Sequence, residues 1–310
     1  MKKVVSVSLG SSKRNHKVET EILGEKFTIE RIGTDGSLAR ASELIREFDG
    51  RVDAFGLGGT DLYICTGKKR YVIREAKRLA KAATKTPIVD GSGLKNTLER
   101  KTIKYLHEKE NIDFSGKNVL LVCAVDRFGM AESFESCGAK MTYGDLMFGL
   151  GIPVPVYSLN TLNKIAGIIA PIVCQLPFKY LYPTGSKQEE NDKKRFEKYY
   201  KMADIIAGDF HYIKKHLPDN LPGKTIITNT VTLSDIEALR NAGVEKLITT
   251  TPNLDGRSFG TNVMEAVLVA LSGKKPQEIS VQDYENLLDK MNFVPRIEHL
   301  HEDKEAVVNG

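Results

Sequence analysis

The chain is poor in the features that mark several common protein classes. It has four cysteines, Cys65, Cys123, Cys137 and Cys174, and no two are spaced as CxxC. No His-rich run accompanies them. That argues against a zinc site or a disulfide framework and points to buried thiols in a reducing compartment. No unbroken apolar run reaches the roughly 20 residues of a membrane span. The most apolar stretch, 150–182, is interrupted by Pro153, Pro155, Asn160, Lys164, Pro171 and Pro177. It reads as short packed helices, with a contact between subunits of a homo-oligomer as the sharper option. The start, Met1-Lys2-Lys3-Val4-Val5, has no apolar signal core, so the expectation is a cytoplasmic protein. Internal repeats and low-complexity tracts are absent. Charge is nearly balanced: 45 Lys and Arg stand against 40 Asp and Glu, a net +5 spread along the chain. That balance suits a small anionic substrate. It is too diffuse for nucleic acid, and no recognisable reading helix is present.

The 310 residues, 41% apolar and 27% charged, suffice for two folded domains. Short β-rich runs alternate with helical spacing, which predicts parallel sheets. Val4–Leu9 is the first strand, Lys17–Ile32 a hairpin around Gly24-Glu25, Ser37–Phe48 a helix and Val52–Leu57 a strand. Tyr71–Ala83 reads as a basic amphipathic helix. Pro87–Val89 is a strand that leads through Asp90-Gly91-Ser92-Gly93 into a helix ending near His107. Asn118–Ala124 is a continuous apolar run, as for a strand buried on both faces. It is followed by a helix over Asp126–Cys137 and strands at Lys140–Tyr143, Asp204–Ala207, Thr225–Thr228 and Lys246–Thr249. Helices are predicted at His211–His216, Leu233–Asn241 and Gly260–Leu271, the last with Asn262 and Glu265 in capping-box register. After Phe293 the tail is polar and expected to be loosely held. The fold class is therefore α/β. Residues 1–115 form a small N-terminal substrate domain and 116–275 a Rossmann-like, doubly wound nucleotide-binding domain. Residues 276–310 form a C-terminal helix and polar tail.

Chemistry is expected where glycine-rich loops follow parallel strands, because ligands bind beyond the carboxyl ends of such strands. Ser8–Ser12, Gly58–Asp61 and Asp90–Asn96 share that position in the first domain. Gly58, Gly91 and Gly129 should then face one cleft. Lys95 would stand in the first turn of a helix, where its charge opposes the dipole, and it is the candidate proton-transfer group with Asp90 or Asp61 modulating it. In the second domain the loop Cys123–Ala131 occupies the place of the dinucleotide turn, although the G-x-G-x-x-G pattern is reduced to Gly129. Arg127 and the helix N-terminus would hold phosphate, and Asp145 the ribose hydroxyls, favouring NAD over NADP. Asp126 reads as a helix cap. Asp209 and His211 form a candidate acid–base pair. Thr250, Arg257 and Asn262 complete the cofactor edge. The loop Tyr182–Lys187 has anion-binding ingredients without Walker A spacing.

Over Val5–Ser12, Ala54–Tyr63, Pro87–Arg100, Val122–Glu132, Tyr182–Glu190, Ile205–Pro218 and Thr249–Ala266 the chain resembles bacterial proteins labelled quinate 5-dehydrogenase. The resemblance spans nearly the whole chain. It implies an NAD(P)-dependent oxidoreductase acting on a small polyhydroxylated acid, with Lys95 matching the family's catalytic lysine. The Asn-Thr-Asp run of that family has no counterpart here. Two alternatives stand beside it, a nucleotide-dependent transferase and a non-catalytic ligand-binding protein on the same fold.

Overall fold

The computed structural model describes residues 1–66, 69–177, 195–251, 253–254 and 257–301, with backbone alone at 65, 66, 69, 253, 254, 257 and 258. The expected anion loop Tyr182–Lys187 lies outside the described residues. The chain forms two α/β lobes, each on a mostly parallel sheet.

The first sheet contains β1 (Lys2–Ser8), β2 (His16–Ile22), β3 (Glu25–Gly33) and β4 (Ala54–Gly58). A separate hairpin, β5 (Tyr63–Thr66) and β6 (Lys69–Val72), precedes β7 (Ile88–Val89). The order is β2-β3-β1-β4-β7, and only β2 is antiparallel. The β2–β3 hairpin turns at Leu23 and Gly24, both at positive φ, which matches the right-handed twist of the flanking strands. Side chains alternate across the sheet. Val5, Val7, Phe55 and Leu57 meet α1 (Leu38–Phe48) and α2 (Arg74–Ala80) on one face. Val4, Phe27 and Ala54 meet helices of the opposite layer. The expected helix Tyr71–Ala83 starts later, because Tyr71 and Val72 are drawn into pairing with Ile64 and Tyr63.

The second sheet is ordered β15-β12-β11-β10-β8-β9. Its strands are β8 (Asn118–Leu121), β9 (Lys140–Tyr143), β10 (Ile205–Gly208), β11 (Thr225–Thr228), β12 (Lys246–Thr249) and β15 (Arg296–His299). A two-residue-per-strand hairpin, β13 (Asn253–Leu254) and β14 (Arg257–Ser258), follows β12. Helices α4 (Phe128–Ser136) and α5 (Leu159–Val173) cover one face; α6 (Glu197–Met202), α7 (Phe210–Lys215) and α8 (Leu233–Asn241) cover the other. The loose tail predicted after Phe293 is corrected by β15, which pairs antiparallel with β12, Ile297 opposite Ile248. Phe293 and Leu300 are buried, and pairing covers the open edge of β12. Within 150–177, the described part of the expected subunit contact, Leu150, Ile152, Val154, Tyr157, Ile168 and Ile172 are exposed. Among the described residues no helix is long and apolar enough to cross a membrane.

The lobes are tied by shared helices. α3 (Ser92–Glu108) places Leu94 and Leu98 in the core of the first lobe and Ile103 and Leu106 in that of the second. After β12 the chain returns to the first lobe as α9 (Thr261–Ser272) and α10 (Val281–Lys290), then crosses again into β15. The glycines at the lobe junction admit this close packing. A methyl on Gly129 would overlap the carbonyl of Asn96, so Gly129→Ala should cost about 1–3 kcal/mol through overpacking. Gly167, inside α5, has open space around it, and Gly167→Ala should stabilise by roughly 0.5–1 kcal/mol. Thermal melts of the two variants should move in opposite directions; equal shifts would contradict the packing.

Candidate functional site

Strand order reverses between β1 and β4 in the first sheet and between β8 and β10 in the second. Crevices open at the carboxyl ends of strands at such reversals. There the first sheet contributes Ser8–Gly10 and Gly58–Asp61, and the second contributes Cys123–Arg127 and Asp209. Two ion clusters join these edges.

In the first cluster Lys95, on the opening turn of α3, places Nζ 3.0 Å from Asp61 and 2.7 Å from both carboxylate oxygens of Asp126. Lys95, the expected proton-transfer group, is 6% exposed. Its conflict with the helix dipole is resolved by two carboxylates. Burial works against its charge, and Asp126 and then Asp61 overcome this, so its pKa is raised. Asp126 is pushed up to about 7 by burial and by Asp61, with Lys95 opposing.

In the second cluster Arg127 pairs with Glu99 of α3 and, at 3.0 Å, with Asp209. Arg127 and Glu99 are each 1% exposed. The expected phosphate-binding Arg127 is therefore corrected: its guanidinium is buried and taken up by two carboxylates, which raise its pKa against the effect of burial. Burial raises the pKa of Glu99 while Arg127 opposes it. Asp209 is held at about 2, burial being outweighed by Arg127. It also accepts from Asn229 at 2.8 Å and caps α7 through the His211 amide at 2.9 Å. Asp209 thus serves Arg127 and the helix start. His211 stands exposed on α7, and its bond to Asp209 is made by its backbone amide.

The remaining candidates are structural in part. Asp90 fastens the Gly58–Leu62 loop to α3: it accepts from the Leu62 amide, from Ser92 N at 3.0 Å and from Ser92 Oγ at 2.6 Å. Asp145, expected at a ribose, accepts from the Val125 amide at 2.8 Å and braces the Cys123–Arg127 loop from behind; burial pushes it up to about 6. Thr250 is fully buried, its amide bonded to the Thr228 carbonyl. The side chain of Arg257 lies outside the described residues. Asn262 sits inside α9, where it donates to Ser6 at 2.8 Å. The capping box with Glu265 is corrected too. Gly260 is the N-cap, and Glu265 accepts from Gly91 N at 2.6 Å and from Tyr284 Oη at 2.8 Å. Burial and neighbouring Asp90 push Glu265 up to about 7.

Gly56, Gly58 and Gly91 all converge on Asn262, so the start of α9 fills the space beside these loops. Gly129 meets Asn96. The glycines admit helix backbone there, which corrects their reading as a common ligand-facing set. Of the residues assigned to NAD, Arg127 is engaged by Glu99 and Asp209, and Asp145 by the Val125 amide of its own lobe. Asp61, Asp126 and Asp209 stay part-exposed at the junction, at 20%, 27% and 22% of their side chains. Asp61 comes from the first lobe and Asp126 and Asp209 from the second, so both lobes face this strip. Sequence reasoning missed Glu99 altogether and gave Asp126 only a capping role. The available signal was helical spacing, since Lys95, Glu99 and Thr102 fall on the same stripe of α3 as Leu94, Leu98 and Ile103.

The model of a family described as Domain of unknown function (DUF8754) matches residues 93–300, and that of Domain of unknown function (DUF8753) matches residues 3–90. No curated protein matches the sequence. Among solved structures, a galactofuranose binding protein is 14% identical, aligning 94% of this chain with 99% of its own at a TM-score of 0.36. An ABC transporter solute binding protein from Agrobacterium vitis, bound with alpha-D-tagatopyranose, is 8% identical, aligning 88% with 89% at 0.36. A periplasmic ribose ABC transporter protein from Conexibacter woesei is 11% identical, aligning 93% with 95% at 0.36. The expected kinship with quinate dehydrogenases, and the oxidoreductase reading that rests on it, are corrected: both matched families are described only as domains of unknown function, and no dehydrogenase is among the structures named above. The cytoplasmic expectation has no counterpart among them: the ribose protein is described as periplasmic.

Proposed function

We propose, for a chain that belongs to the family described as Domain of unknown function (DUF8754), that it binds a small, neutral, polyhydroxylated ligand between its lobes without transforming it. One observation carries this reading. Three part-exposed carboxylates, Asp61, Asp126 and Asp209, are fixed at the carboxyl ends of strands from both sheets, and Lys95 and Arg127 hold them in place. Carboxylates fixed in this way accept hydroxyl hydrogens, the recurrent polar contact of a polyol. An anionic substrate suits the strip poorly, because both cations are already engaged and four carboxylates surround them. We read the second sheet as a doubly wound, Rossmann-like unit whose reversal between β8 and β10 forms the floor of the crevice.

Calorimetric titration with neutral aldoses and alditols, the matching sugar acids and NAD tests the reading. A neutral polyol should bind best. Asp126→Asn and Asp209→Asn should each weaken it by about 10–100-fold, the range for a hydrogen bond to a charged group. Tighter binding of the acid than of its neutral parent, or wild-type affinity in both variants, would overturn it.

A further inference from the structure

At the opposite, amino end of the first sheet, far along the strands from the ion clusters, lies a concavity of about 440 Å³ lined by Arg46, Arg78, Lys81, Lys85, Thr84 and Asp49. Its four cations come from the last turn of α1, the last turn and C-cap of α2, and the loop before β7. None of the four is ion-paired among the described residues. The single acid does not neutralise them. Asp49 accepts from Thr84 N at 2.8 Å, Thr84 Oγ1 at 2.7 Å, Lys85 N at 3.0 Å and Thr86 N at 2.8 Å. Its oxygens are spent on clamping the 84–86 loop, and Gly50 N adds a bond to Thr86 Oγ1 at 2.7 Å.

A cation in the last turn of a helix is ordinarily stabilised by the free carbonyls there, which accounts for Arg46 and Arg78 one at a time. It does not account for Lys85, which belongs to no helix. Nor does it account for four like charges gathered around one hollow, an arrangement that repels itself unless an anion is present. Lys85 is exposed, and its stem passes beside Gly50, where an added methyl would meet Lys85 Cδ at 3.0 Å. The positive lining continues into an adjoining depression of about 530 Å³, which shares Thr84 and Lys85 and adds Lys2 and Lys275, together with Lys274, itself paired with Asp283 at 2.8 Å. Its acid, Asp53, is likewise engaged by a backbone amide, that of Lys3 at 2.6 Å.

We propose that this groove is a second binding site, separate from the interlobe strip, for a small oligophosphate such as a di- or triphosphate group. A chain of phosphates places several charges along one ligand and can engage cations from α1, α2 and the clamped loop together. A single carboxylate could not span them. The site rests on its own residues and stands whether or not the interlobe reading holds.

Calorimetric titration of the full chain with inorganic triphosphate, at low and at physiological ionic strength, tests it. Wild type should bind triphosphate and prefer it to orthophosphate. The double variant Lys81→Gln/Lys85→Gln should weaken binding at least tenfold. A control, Lys17→Gln/Lys164→Gln, carries the same net charge and should leave binding within twofold. Both pairs are exposed and should keep the wild-type melting temperature, and triphosphate should raise that temperature in wild type and control alone. Equal weakening in both double variants would show diffuse attraction and overturn the proposal. So would the absence of binding at low salt, or tighter binding of a single-stranded oligonucleotide than of triphosphate.

Discussion

Lys95→Ala should destabilise the protein by about 3 kcal/mol, at the lower end of the range for removing one partner of a buried ion pair. Lys95 is 6% exposed and holds Asp61 and Asp126 at 3.0 and 2.7 Å; their partial exposure moderates the loss. The effect should depend on pH in a definite direction. Asp126 is raised to about 7 in the folded protein by burial and Asp61, above its ordinary value of 3.8. A carboxyl raised in this way adds stability below its unfolded pKa and loses it as pH rises through the folded one. Without Lys95, the attraction that favours the charged form disappears and the folded pKa climbs further. The deficit of Lys95→Ala relative to wild type should therefore be small near pH 5 and grow toward pH 8. Adding Asp126→Asn to Lys95→Ala should recover part of it. Denaturant unfolding of the three proteins across that range provides the comparison, and wild-type stability of Lys95→Ala at both ends would refute the buried-lysine account.

Arg127→Ala should be comparably or more damaging, by about 3–5 kcal/mol, because it strands Glu99, itself 1% exposed, without its cation. Glu99→Gln should cost less than Arg127→Ala, since Arg127 retains Asp209 at 3.0 Å. The double substitution Arg127→Met/Glu99→Leu replaces a buried pair by apolar groups of similar size and should lie well above the sum of the singles, within roughly 1–2 kcal/mol of wild type. A double-mutant cycle measures the coupling, and additive single effects would mean that the pair does not act as a unit. Asp209→Asn in the Arg127→Met/Glu99→Leu background separates stability from ligand affinity, since Asp209 still caps α7 there.

Much of the local architecture was legible from periodicity alone. The strands Lys140–Tyr143, Thr225–Thr228 and Lys246–Thr249 and the helix Leu233–Asn241 fall where the pattern of apolar residues, caps and glycines places them. β15 was not legible, because three of its four residues are half-buried, His299 is exposed, and they become a strand only by completing the edge of β12. The glycine loops were found but misread. A glycine at a strand end signals close approach of something, and sequence does not say whether that is a ligand or, as for Gly91 and Asn262, another helix of the same chain.

The sequence by itself determined two α/β lobes, most of their strands and helices, and the gathering of polar residues at the carboxyl ends of strands, because these follow from local spacing and the fixed handedness of βα connections. Tertiary structure alone decided which charges meet. Asp126 and Arg127 are adjacent in the chain, yet one turns to Lys95 and the other to Glu99 and Asp209, and it is the packing of α3 across both lobes that brings these partners within reach. Ion-pair geometry depends on ångström-scale distances between segments remote in sequence, which no local pattern carries. For the same reason the sequence marks Lys95 by its place in a first helical turn, and only the fold shows it buried between two carboxylates.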